Sequence, residues 1–222
     1  MSTPLVPETT RRPRLTRDRV LGAALEVADE GGLAALTIRS LATRLGVKPM
    51  AVYHHVANKD EILDGIVDLV FAEIDLPVVG GDWRTEVRRR ATSARDVLRR
   101  HPWAVPLLES RHTPGPATLR QHDAMIGTLR AGGFDVRAAA HAYALLDAFV
   151  YGFAIQEASL PFEGPEDVGP MAASMVEGMG DAFPHLIEMA TEVVMQPGYD
   201  FADEFDVGLD LVLTAVASLR GE

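Results

Sequence analysis

Apolar and polar positions follow the period of a helix along the whole chain. In 17–31, Val20, Leu21, Ala24, Val27 and Ala28 share one face, with Thr16 as a suitable N-cap and Gly31-Gly32 stopping the run. A short helix is expected over about 37–44, capped by Thr37, with Leu41, Ala42 and Leu45 turned inward and Gly46 as breaker. A second short helix follows over about 48–54. Asn58 and Glu61 have the N-cap and N3 spacing of a capping box and open a longer helix carrying Ile62, Leu63, Ile66, Leu69, Val70 and Ile74. Asp75-Leu76-Pro77, with Gly80-Gly81 beyond, ends that helix and marks the one plausible internal boundary.

Further helices are expected at about 83–100, 103–110, 115–131, 135–158, 166–195 (broken near Pro184) and 202–219. Breakers stand where these should end: Pro102, Pro114-Gly115-Pro116, Gly132-Gly133, Pro161, Gly164-Pro165 and Pro197-Gly198. No alternating apolar and polar run is bounded by hairpin turns, and no repeat has solenoid spacing. The pattern predicts an all-α chain. A flexible basic arm over 1–15 precedes an N-terminal three-helix domain over 16–75, and a C-terminal helical domain fills 82–222.

Composition narrows this further. Apolar residues make up 47% of the 222 positions, enough for a real core, and the absence of cysteine removes disulfide scaffolds, thiolate zinc sites and cysteine nucleophiles. The N-terminus lacks the apolar run of a secretory signal, and no stretch approaches the ~20 apolar residues of a membrane helix, so the expected location is the cytoplasm. Charge is unevenly placed. The chain carries −11, yet residues 1–59 hold nine basic and five acidic residues, a net +4, which leaves −15 on the rest. A basic head on an acidic body argues for a polyanion partner at one end only; the competing reading is a chance cluster in an N-terminal tail.

The segment 37–56 supplies a specific candidate. It reads as two short helices joined at Gly46, where Ala42 allows close approach and Leu41, Leu45, Val47, Val52 and Val56 form the seam. Lys48, Pro49, Met50, Ala51, Tyr53, His54 and His55 then occupy the start and outer face of the second helix. A recognition helix enters the major groove with its N-terminal residues foremost, which suits this small-then-polar beginning; a purely structural helical hairpin shares the pattern.

An ordered set of residues goes beyond a bare helix-turn-helix. Ala28-Asp29-Glu30-Gly31-Gly32-Leu33 is followed by Thr37-Ile38-Arg39-Ser40-Leu41-Ala42, Leu45-Gly46-Val47, Tyr53-His54-His55-Val56 and Asn58-Lys59-Asp60-Glu61-Ile62-Leu63. With these, residues 16–63 closely resemble the DNA-binding domain of the tetracycline-repressor (TetR) family of bacterial regulators. A weaker similarity to the drug-binding domain of the tetracycline-repressor subfamily runs through His101-Pro102-Trp103, Gly115-Pro116, Leu129, Gly132-Gly133-Phe134 and Gly152. The resemblance implies a homodimeric transcriptional repressor, not an enzyme. Such a protein binds a pseudo-palindromic operator and is released when a small-molecule effector enters the body; the alternatives are an activator or a ligand-independent regulator on the same scaffold.

By position, the resemblance places Arg39 at a base edge, most naturally guanine, and Thr37 with it in the DNA-contact set. Tyr53, His55 and Lys59 match positions that grip phosphates, while Pro49, Met50 and Ala51 take base-facing positions beside thymine methyls. Lys48 serves a base or a phosphate. Packing against the first helix competes for Tyr53, and a solvated side chain for His54. The arm Arg11-Arg12-Pro13-Arg14 either enters the minor groove or is a free tail.

In the body, Trp103, Leu107, Met125, Leu129, Phe149, Phe153, Met171, Met175 and Met179 are candidate pocket lining, with ordinary core packing as the alternative for each. Glu109 and His112 replace the histidine and threonine positions that serve magnesium–tetracycline binding in the namesake repressors, and Gln156 replaces a glutamate. That chelate is therefore not expected, and Glu109, His112 and Gln156 remain ligand-binding candidates with no metal or cofactor assigned. Leu145, Phe149, Phe205, Leu209, Val212 and Val216, with Ala138, Phe153 and Leu219, are candidate dimer contacts, the alternative being burial within one subunit. No phosphate loop, HExxH or Gly-x-Ser-x-Gly is present, and nothing orders a nucleophile beside His141 and Asp147, which argues against the remaining alternative, a helical small-molecule-binding protein or enzyme whose helix-turn-helix is only structural.

Overall fold

Every regular element formed by the described residues is helical. The structure is a computed structural model that describes residues 14–108, 113–161, 165–180 and 182–221. Packing divides the chain after Leu69 into two units.

In the first unit, α1 (Arg17–Ala35) starts where the Thr16 hydroxyl accepts from the Arg19 N–H at 3.3 Å. The expected stop at Gly31-Gly32 is a kink instead: Gly32 adopts φ 68° and ψ −178°, and helical backbone resumes as far as Ala35. A capping box opens α2 (Ile38–Leu45): the Ser40 N–H donates to the Thr37 hydroxyl at 3.0 Å, and the Thr37 N–H to the Ser40 hydroxyl at 2.9 Å. Gly46 closes it in the left-handed region, φ 65° and ψ 36°, which lets the Gly46 and Val47 N–H groups reach the Thr43 and Ala42 carbonyls. Pro49 then presets the first turn of α3 (Pro49–Val52). This helix is shorter than the expected 48–54, because past Val52 the chain tightens into a turn with the His55 N–H on the Val52 carbonyl. The next helix, α4 (Lys59–Glu73), is capped by Asn58, whose side chain accepts from the Glu61 N–H at 2.8 Å; the Glu61 carboxylate reaches back to the Ala57 N–H at 2.7 Å. Leu41, Ala42, Val52 and Val56 are buried with the apolar face of α1, while Leu45 and Val47 are only half-buried.

The second unit begins within the last turn of α4. It contains α5 (Trp83–Arg100), α6 (Pro116–Ala131), α7 (Val136–Ala158), α8 (Pro165–Met179), α9 (Pro184–Met189) and α10 (Glu204–Ala217). The segment expected as a helix over 103–110 is a 3-10 helix, Pro102–Leu107, because Pro106 has no N–H to continue an α ladder. The long element expected over 166–195 is broken before Pro184 and continues past α9 as a π turn, Ala190–Val194. A 3-10 turn, Phe201–Asp203, precedes α10.

Helix α7 packs against α5, α6 and α10 and is the axis of this core. Contrary to the sequence expectation, α7 is long and apolar enough by length and composition to cross a membrane, with a mean hydropathy of 1.4 over its most apolar window. Half of that window is buried inside the unit, as in the core helix of a helical domain. Gly132 shows how closely α6 meets α5: a Cβ there would lie 2.7 Å from the Trp83 side chain, which packs edge-on to Phe134 at 5.0 Å.

Candidate functional site

The short-helix pair of the first unit presents its polar residues outward. Thr37, Arg39, Lys48, Pro49, Met50, Tyr53, His54 and Lys59 are exposed; Ala51 and His55 are half-buried. Met50 is 68% exposed at the leading end of α3, and Tyr53 is 46% exposed at its trailing end. A methionine that open to solvent stabilises nothing within the unit, so its position at the tip of α3 suits contact with another molecule.

The basic residues of this unit fall into two groups. Arg44 bonds Glu26 at 3.0 Å and also Glu30, which it holds below the usual carboxylate range. Arg17 bonds Glu61 at 3.2 Å; the Ala57 N–H first and Arg17 second hold that carboxyl below its ordinary range. By contrast, Arg39, Lys48 and Lys59 form no ion pair among the described residues. The uncommitted charge among the described residues therefore includes Lys48 at the N-cap of α3, Arg39 on α2 and Lys59 at the start of α4. Arg11 and Arg12 of the arm lie outside the described residues, and the Arg14 carbonyl accepts from the Arg19 guanidinium at 2.9 Å.

In the second unit the pocket candidates separate. Trp103, Met125, Leu129 and Phe153 are buried, and Leu107, Phe149, Met171 and Met179 are half-buried. Gln156 and Met175 are exposed, Met175 at 57%, so within one protomer they are surface rather than enclosed lining, although Met175 shares the side of α8 that carries Val168 and Ala172. Glu109 and His112 lie outside the described residues. No cluster of three or more histidine, aspartate or glutamate side chains among the described residues has the arrangement of a metal site.

The aromatic candidates pack on one another. Phe153 stacks on Phe201 at 5.0 Å, Phe205 stands edge-on to Phe153 at 5.1 Å, and Phe149 lies 5.5 Å from Phe205. The Arg95 guanidinium covers the Phe153 and Phe205 rings at 5.0 and 4.8 Å while its Nη2 bonds Glu157 at 2.6 Å.

Three of the expected dimer contacts are committed to the core of their own protomer. Phe205, Leu209 and Val216 are fully buried within one protomer, Val212 and Phe149 are half-buried, and Leu145 is exposed. Phe205, Leu209, Leu213 and Val216 form the inward stripe of α10, and the large apolar residues that this helix leaves exposed are Val207 and Leu211, at 57% and 68%.

One polar group in this core was not singled out from sequence. Arg90 of α5 is 1% exposed and bonds Asp147 of α7 at 2.8 Å. A signal was available: Val87, Arg90, Ala91, Ala94, Val97 and Leu98 form one buried stripe, so the arginine falls where only apolar residues are expected.

Comparison with known proteins agrees with both units. Residues 20–66 match the family "Bacterial regulatory proteins, tetR family", and residues 76–219 match "Tetracyclin repressor-like, C-terminal domain". An HTH-type transcriptional regulator of Saccharopolyspora erythraea is 38% identical over 128 residues, 57% of this chain and 54% of the relative. The HTH-type transcriptional repressor DrrR1 of Streptomyces coeruleorubidus is 33% identical over 150 residues, 67% of this chain and 56% of the relative. The chain thus spans about half the length of these two curated relatives. Among solved structures, the Streptomyces coelicolor TetR-family protein ActR in complex with actinorhodin superposes with a TM-score of 0.80 at 29% identity, covering 94% of this chain and 98% of ActR. A family match over 76–219, joined to a second over 20–66, leaves one assignment: the chain belongs to the tetracycline-repressor (TetR) family of transcriptional regulators.

Proposed function

We propose that the chain is a homodimeric repressor that acts in the cytoplasm, binds a pseudo-palindromic operator, and is released by a small-molecule effector held in its C-terminal domain. Residues 16–75 read the DNA and residues 82–222 bind the effector and the second copy. The observation that carries this reading is the exposed tip of α3, with Pro49 and Met50 foremost and Arg39, Lys48 and Lys59 uncommitted around it. Pro49, Met50 and Ala51 meet base edges, and Thr37 and Arg39 approach the same groove from the start of α2. Tyr53, His54, His55 and Lys59 contact the sugar–phosphate backbone. Two such heads related by two-fold symmetry address half-sites about 34–36 Å apart. DrrR1 is named a repressor, and ActR crystallises with actinorhodin, which supports repression relieved by a ligand. Trp103, Leu107, Met125, Phe149 and Phe153 are the effector contacts retained, with Glu109 and His112 kept from sequence.

The test is a mobility shift of the purified protein on DNA from its own upstream region at two salt concentrations. A discrete complex that survives competitor DNA and weakens with salt is expected; binding without sequence preference would overturn the operator assignment. On that operator, Arg39→Ala should weaken binding by about 1–3 kcal/mol and relax preference at one base pair per half-site. Unchanged preference would show that Arg39 reads no base. Lys59→Ala should weaken all DNA alike and reduce the salt slope by about one per head, as expected when one phosphate contact is lost. A loss confined to one sequence would refute a phosphate role.

A further inference from the structure

The buried Arg90–Asp147 pair leaves polar capacity unused. Arg90 Nη1 reaches Asp147 Oδ1 at 2.8 Å, but Arg90 Nε and Nη2 meet no acceptor, and Asp147 Oδ2 meets no donor, among the described residues. Arg90 is 1% exposed and Asp147 5%, so bulk water does not supply those bonds. Folded proteins match nearly all buried donors and acceptors, and a group left open has a reason. Two open N–H donors beside an open carboxylate oxygen form a recognition edge.

The surroundings limit what fits that edge. The charges of Arg90 and Asp147 cancel, and the Tyr143 phenol against Asp147 is held protonated, by burial first and then by the carboxylate. An anionic group would gain Arg90 but meet Asp147; a cation would meet the reverse conflict. An uncharged group carrying one acceptor and one donor satisfies both. Aromatic rings stand close by: Tyr151 adjoins Arg90, and His122 is edge-on to Tyr143 at 5.5 Å.

Resting on the reading of this domain as effector-binding, we propose that Arg90 and Asp147 are a ligand subsite for the neutral donor–acceptor edge of an aromatic molecule, a carboxamide or hydroxy-ketone. The ligand carbonyl oxygen accepts from the open Arg90 N–H groups, and its N–H or O–H donates to Asp147 Oδ2.

The experiment uses the full chain and three probes of one size: benzamide, benzoate and N,N-dimethylbenzamide. Binding is followed by calorimetry and by the 15N resonance of the Arg90 Nε–H group, identified by its absence from the Arg90→Met/Asp147→Leu double variant. Benzamide should shift that resonance saturably, with benzoate and N,N-dimethylbenzamide at least about tenfold weaker, as expected for loss of a hydrogen bond to a charged group. The double variant should lose benzamide binding by a similar factor while still unfolding cooperatively. If it does not fold, the three-probe series on the native chain, followed by calorimetry, decides alone. No benzamide-dependent shift, an equal response to benzoate, or benzamide binding retained in the folded double variant would overturn the subsite. Operator binding separates the two readings: if it persists while benzamide fails, only the subsite is lost, and if both fail, so is the regulator assignment beneath it.

Discussion

Asp147→Ala is expected to destabilise the body by about 3–5 kcal/mol, the cost of stranding a buried charge after its partner is removed. The reason lies in the position of Arg90. Its guanidinium is wholly buried on the α5 stripe, bonds Asp147 at 2.8 Å, and has no acceptor for Nε or Nη2 among the described residues. It cannot shed its charge, since arginine remains protonated at any ordinary pH, and the Asp147 carboxylate raises its pKa further still against the opposing effect of burial. Urea denaturation of the native chain and the single variant measures the difference. The Arg90→Met/Asp147→Leu double variant removes both charges together and should be as stable as the native chain or more so. An Asp147→Ala cost under about 1 kcal/mol would place the pair in the range of exposed ion pairs, contrary to its burial.

The second large effect concerns the proposed dimer. Val207 and Leu211 lie one turn apart on the outward face of α10, while the inward stripe of that helix is committed to the core of its own protomer. Val207→Asp/Leu211→Asp should therefore leave the protomer folded but convert a dimer to a monomer, read by light scattering, because each new carboxylate would lose its hydration on assembly. Operator affinity should fall by about 10²–10⁴-fold, the gain that joining two weak sites provides. A variant that stays dimeric and binds the operator normally would place the interface on another face.

The sequence carried most of the fold because helical periodicity and breakers act locally. The Thr37 cap, the Gly46 break and the Asn58 cap each need only three or four neighbouring residues, and each is found where the pattern put it. What periodicity cannot say is which chain a buried stripe faces. Phe205, Leu209 and Val216 have the spacing of an interface, and the same spacing serves equally against Phe149 and Phe153 of the same protomer. Short-range backbone chemistry accounts for other differences: one proline converts 102–107 to a 3-10 helix, and a four-residue α3 has too few positions to show a period. For the site, the exposed tip of α3 was legible because a recognition helix must leave its leading residues free. Arg90 was not, since its partner lies 57 positions away on another helix.

Arg44 changes how the head's formal charge should be counted. Tied to Glu26 and Glu30, it has little left to displace counterions from DNA, and Arg17 is similarly engaged with Glu61. Grip on random sequence depends on phosphates neutralised rather than on basic residues present. Residues 60–222, which carry −15, add repulsion at longer range. For the proposed repressor, sliding along the chromosome is then brief, and most of the search for a vacated operator is made by free diffusion. Under that proposal, the time to silence a gene again, once an effector has been cleared, is set by the number of protein copies in the cell rather than by how far each tracks along the duplex.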